Sequence, residues 1–89
     1  MAYDPNNLSA LAYANGFTLW HYKTPDAAID VDTIGYFNDA ASMVRAGDFI
    51  MSNTSIAGAV QSGVFVVVSN TGTEVDTANL SDFSALNSD

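Results

Sequence analysis

His21 is the sole histidine of the chain and its natural candidate for a general base. A nucleophilic triad would need it beside a serine and an acid, yet no Gly-x-Ser-x-Gly elbow occurs in the sequence. His21 lies in an aromatic run where alternation places it with Phe17 and Leu19, and there a lone histidine reads as a packed or hydrogen-bonded residue. Asp26, Asp30 and Asp32 offer clustered carboxylates to a hard cation, but the calcium loop they would imitate demands further acids, a central glycine and a terminal glutamate. They read as a solvated acidic loop. Asp39 and Asp48 read as helix-start and turn hydrogen-bonding groups. Cysteine is absent, which removes disulfides and thiolate zinc sites. Glycines 16, 35, 47, 58, 63 and 72 stand singly, forming neither a phosphate loop nor a dinucleotide fingerprint. The residues therefore predict no catalytic site, no metal site and no cofactor.

The charge balance narrows the partners. Ten acids face Lys23 and Arg45, for a net charge of −8. Phosphate recognition needs clustered Lys and Arg, and anionic membranes need the same, so nucleic acid and membrane surfaces are both disfavoured. The longest apolar run, 64–68, is too short to cross a bilayer, and Met1-Ala2-Tyr3-Asp4-Pro5 has none of the basic and apolar regions of an export signal. Apolar residues make up 48% of the 89 positions, enough for a core and for an apolar contact surface as well. Small domains without disulfides or metal often rely on a partner. Trp20, Tyr22 and Tyr36 belong to the residue types that dominate both interface hot spots and small cores, and the sequence leaves Trp20 and Tyr22 open between those two places.

The elements that would carry these residues are mostly strands. Residues 17–24 read as a strand, with Phe17, Leu19 and His21 on one face and Thr18, Trp20 and Tyr22 on the other. A second strand is predicted over 48–53. Residues 64–69 predict a third, and its unbroken run Val64-Phe65-Val66-Val67-Val68 implies burial on both faces. Asn70-Thr71-Gly72 is a turn signal, with 73–76 returning as a hairpin partner. Residues 25–35 read as an acidic loop or a short edge strand. Residues 36–47 suit a short helix capped by Asn38 and stopped by Gly47, burying Phe37, Ala40, Ala41 and Val44. At the N-terminus Asp4, Pro5 and Gly16 fit a helix start and stop, with Leu8, Leu11 and Ala12 at helical spacing; the alternative is an arm that orders against something else. In the C-terminal stretch Leu80, Phe83 and Leu86 recur every third residue, as one helical stripe or as pegs of an extended arm. The sequence thus predicts a mainly β fold, a small compact barrel or partly open sheet with one short helix. The core domain spans 17–76, between an N-terminal arm, 1–16, and a C-terminal arm, 77–89. Partner contacts are expected at Leu8, Leu11, Trp20, Tyr22, Leu80, Phe83 and Leu86.

Within this frame Leu19-Trp20-His21-Tyr22-Lys23-Thr24-Pro25-Asp26-Ala27 leads to Gly35-Tyr36-Phe37-Asn38-Asp39-Ala40-Ala41 and then to Val44-Arg45-Ala46-Gly47-Asp48-Phe49-Ile50. Residues 17–50 resemble short proteins of tailed bacteriophages and gene-transfer agents. Those proteins carry Leu-Trp-x-Tyr-x-Thr-x-Asp, then Gly-Tyr-Phe-x-Asp-Ala, then a hydrophobic residue and Gly-Asp before a strand. The opening Met1-Ala2-Tyr3-Asp4-Pro5-Asn6-Asn7-Leu8 is similar to their starts; beyond residue 53 the likeness ends. The resemblance implies a non-enzymatic virion component made in the bacterial host cytoplasm and placed on the capsid surface. It would be a capsid decoration (cement) protein, or alternatively a head fibre or spike module that binds a host receptor or glycan. It further implies the major capsid protein of the same virion as partner and a homo-oligomer, by analogy a trimer on a three-fold site. It supplies no catalytic residues.

Overall fold

Asn15 and Gly16 decide the first pairing. Both have positive φ, 54° and 76°, the combination that makes a two-residue hairpin turn matching the twist of its strands. In the computed structural model, which describes residues 3–83, this turn joins β1 (Leu8–Ala14) to β2 (Phe17–Lys23) as an antiparallel hairpin. Of the two forms open to the N-terminal arm, helical and extended, the chain adopts the extended one. Asp4 does act as a cap, its carboxylate accepting from Asn6 N at 3.0 Å with Pro5 following, but the turn it caps is the 3₁₀ turn Pro5–Asn7. Leu8 and Leu11, at helical spacing in the sequence, lie on a strand that is bulged between Ala10 and Ala12.

A long crossover leaves β2 and returns as β3 (Phe49–Thr54), parallel to β2, with Leu19 beside Phe49 and Tyr22 beside Ser52. β4 (Gln61–Asn70) then runs antiparallel to β3, pairing Ile50 with Phe65. Beyond the 71–74 turn the chain retraces β4 as a broken edge, β5 (Val75–Thr77) near one end and β6 (Ser81–Asp82) near the other. The sheet is open, in the order β1-β2-β3-β4-β5 with β6 also on β4; of the two architectures expected, it is the open sheet and not a closed barrel.

The crossover covers one face. It contains α1 (Ala28–Val31), where the sequence suggested a loop or edge strand, and a 3₁₀ turn, Asn38–Ala40. The helix expected over 36–47 is replaced by successive tight turns, and the reason lies in the side chains. Asn38 does not cap; its Oδ1 accepts from Val75 N at 2.8 Å and so ties the crossover to β5. From the sheet, Asn70 Nδ2 donates to the carbonyls of Ala41 and Val44, taking two acceptors that a continuing helix would use internally. Gly47, at φ 94°, ends the segment as foreseen. The burial expected for this stretch holds: Phe37, Ala40 and Val44 are in the core with Ala41 packed beside it.

The core lies between the crossover and the inner sheet face, where Trp20, Tyr22, Ile50, Phe65, Val67 and Val75 meet Ala28, Val31, Phe37, Ala40 and Val44. Rings supply its centre: Phe37 lies 5.2 Å from Tyr22 and 5.0 Å from Tyr36, both edge-on, an arrangement favoured by the ring quadrupoles. Burial of the 64–68 run on both faces does not occur. Phe65 and Val67 are buried, Val64 and Val66 are partly covered, and Val68 is exposed, because no element among the described residues packs on the other side of β4.

Candidate functional site

Strand alternation divides the sequence between two environments. On β2 it sends Thr18, Trp20 and Tyr22 inward and Phe17, Leu19, His21 and Lys23 outward; on β3 it sends Ile50, Ser52 and Thr54 inward and Phe49, Met51 and Asn53 outward. The registers place the outward residues in rows across the sheet. Ala12, Leu19, Phe49 and Val66 form one row; Ser9, His21, Met51 and Val64 form the next; Lys23, Asn53 and Ser62 form a third. Phe17 and Val68 extend the apolar end, where Phe17 and Phe49 meet edge-on at 5.3 Å. This face carries large apolar side chains in water: Phe49 is 43% exposed and Met51 41%. Contiguous apolar surface of this kind marks contact sites in soluble proteins.

Across β1 to β4 this face is also free of acids. β1, β2, β3 and β4 contain Lys23 as their one charged residue, so the chain's ten acids all lie elsewhere. Polar groups gather at one end, where His21 Nε2 and Asn53 Oδ1 are 2.9 Å apart and Asn53 Nδ2 donates to Ser62 Oγ at 2.8 Å. With Asn53 Oδ1 accepting, Nε2 carries the proton. An uncharged amide therefore separates the imidazole from the serine.

Two carboxylates of the motif-bearing segment are inside the protein and are held by donors. Asp48 is buried, accepting from Thr18 N at 3.1 Å, Trp20 Nε1 at 3.1 Å and Arg45 N at 3.0 Å. Asp26 accepts from Tyr36 O–H at 2.7 Å; Tyr36 in turn lies 2.9 Å from the Tyr22 hydroxyl, which accepts from Asp4 N at 3.0 Å. Burial, reinforced by the hydrogen bonds with Tyr22 and Asp26, holds the Tyr36 phenol well above its usual range. It stays a neutral donor. Asp30 borders an open depression of about 320 Å³, lined with Thr33, Gly35 and Tyr36. The carboxyl of Asp32 is shifted upward by burial and by the neighbouring Asp30 and Asp76. Among the described residues no three His, Asp or Glu side chains converge as a metal-ligand set.

The residues expected to contact partners fall into three groups. Trp20 and Tyr22 are core, which decides the question the sequence left open; Leu8 is buried and Leu80 packs against the core from its margin. Leu11 and Phe83 are exposed, at opposite edges of the sheet. Leu86 lies outside the described residues. Sequence reasoning passed over Phe49, Met51 and Val68. Their signal was the alternation of 48–53, legible for the two β3 residues once β3 is known to have a single covered face. Comparison of the chain with family models, with curated proteins and with solved structures found no match.

Proposed function

We propose that this chain is a non-enzymatic structural protein of a tailed-phage virion, a capsid decoration protein that binds the outer shell and stabilises the head. The observation that carries the reading is the outer sheet face, Phe17, Leu19, Phe49, Met51, Val66 and Val68, apolar and without acids on a chain of net charge −8. An adhesive surface that excludes the chain's own charge suits attachment to a protein shell. The resemblance over 17–50 supports it from a second side. Its residues Trp20, Tyr22, Asp26, Tyr36, Phe37 and Asp48 form the core and the two buried carboxylate networks, so the likeness is carried by what builds this fold. The shell's major capsid protein is the partner in this reading. A glycan-binding module would need exposed aromatic rings to stack on sugars, and Trp20 and Tyr22 are turned inward.

The test is made on particles. Phage heads assembled without the chain are expected to lose heat resistance and to regain it when purified protein is added, with the chain then found on the particles by mass spectrometry. Heads that melt identically with and without it contradict the cement role.

A further inference from the structure

The sheet has two edges, and the chain treats them in opposite ways. At the far edge β5 and β6 are short, interrupted over 78–80, and carry Asp76 and Asp82. Breaks and charges of this sort are how native edges avoid pairing with other chains. At the near edge β1 presents Leu-Ser-Ala-Leu-Ala-Tyr-Ala, seven residues without charge or proline. One side of this strand is paired with β2, and the other faces no strand among the described residues. Residues 9–14 are exposed throughout, with Leu11 at 55% and Tyr13 at 64%. Its single defence is the bulge between Ala10 and Ala12, which twists a strand locally but does not remove its outward N–H and C=O groups.

We propose that the open edge of β1 pairs antiparallel with β1 of a second copy of this chain, continuing the sheet across a two-fold axis. Charge selects this occupant. Copies of net charge −8 repel one another wherever acids face acids, and β1 is an edge where none do. A cationic partner would be drawn to the acidic crossover and turns, not to this strand. The antiparallel sense follows from Asp4, which lies just before β1. Side by side, two parallel strands would bring both copies of Asp4 together. Antiparallel strands separate them by the length of the strand, roughly 20 Å, about twice the screening length in physiological salt. A two-fold near Leu11 sets Tyr13 against Ser9 and small residues against small residues, so no like charges oppose each other. Such an axis stands perpendicular to the sheet and leaves both outer faces on the same side. Bivalent attachment to a shell would then follow; that consequence rests on the proposed capsid role, whereas the pairing does not. Isologous pairing replaces the trimer implied by analogy with an even-numbered assembly.

The experiment is light scattering of the purified full chain from micromolar to near-millimolar concentration. The wild type is expected to approach twice its 9.4 kDa chain mass, the double variant Leu11→Lys/Tyr13→Lys to stay at the single mass with an unchanged circular dichroism spectrum, and the outer-face variant Met51→Lys to remain dimeric. If the double variant does not fold, amide exchange on the wild type decides: β1 amides should exchange more slowly at high than at low concentration. A wild type that is monomeric throughout overturns the pairing, as does a trimer or a dimer broken by Met51→Lys alone. None of those outcomes touches the particle test of the capsid role, so the two proposals fail separately.

Discussion

The inner and outer faces of this sheet are made by the same strands, often by adjacent residues, and yet they have different chemistry. Ile50 is sealed beneath the crossover while its neighbours Phe49 and Met51 face water. The inner face combines aromatic packing with two fully hydrogen-bonded carboxylate networks. The outer face has apolar rows, a short histidine–asparagine–serine chain and, across β1 to β4, no acid. The difference teaches that hydrophobicity alone does not locate a core. Phe65 and Phe49 are the same residue type, and only the crossover decides which of them stabilises the fold.

The comparison is broken most severely by emptying the core between the inner face and the crossover. Phe65→Ala on the sheet or Phe37→Ala on the crossover should cost about 3–5 kcal/mol, a large part of the stability of a domain this small, and leave the protein largely unfolded in a urea titration. Phe49→Ala, the same deletion on the outer face, should cost less than about 1 kcal/mol in that titration. Equal losses at the two faces would remove the distinction.

Next in size come the polar networks. Asp48→Ala strips the acceptor from Thr18 N, Trp20 Nε1 and Arg45 N inside the protein and should destabilise by about 3 kcal/mol. Asn53→Ala breaks the partly buried outer chain between His21 and Ser62 and should cost about 1 kcal/mol or less. Thermal melts of the two variants give the ordering.

A smaller, local effect is expected at Gly63. A Cβ there would run into the backbone carbonyl of Ser81, so Gly63→Ala should displace β6, increase amide exchange at 81–83 and cost about 1–3 kcal/mol. β1 exchange should not change. Unaltered exchange at 81–83 would show that β6 is not seated against Gly63.

The mildest test is alkaline pH. The Tyr36 phenol is raised above its ordinary 10.0 in the folded chain, so above that pH the unfolded state gives up the proton first and binds fewer protons than the native state. Stability is therefore fully present below about pH 10 and falls as pH rises further. Tyr36→Phe should make the decline shallower, as read from urea midpoints across pH 8–11. An equally steep decline in the variant would place the phenol outside the buried network.

How far the sequence reached follows the same division. β2, β3 and β4 were legible within a residue or a few, because aromatic and β-branched residues concentrate there; alternation grouped Thr18, Trp20 and Tyr22 on one face, but that this face is the inner one follows only from the crossover packed on it. β1 was not distinguished from a helix. Leu8, Leu11 and Ala12 have helical spacing, and Asn15-Gly16 fits a helix stop as readily as a hairpin turn until β2 is present to pair. The 36–47 segment has helix-forming residues and a good stop, but Asn38 and Asn70 bind its neighbours and its carbonyls from a distance, which local propensity cannot register. The outer face was half legible. Its β2 members were assigned to one side, but the unbroken run at 64–68 has no alternation from which an uncovered face is read.

The central claim, that the outer face is a contact surface and not a spare core, is tested most directly by sedimenting purified chain with phage heads that lack it and comparing the wild type with Phe49→Lys. The account predicts that the variant melts within about 1 kcal/mol of the wild type and no longer sediments with the heads. A variant that keeps its fold and binds the heads as tightly as the wild type would contradict it.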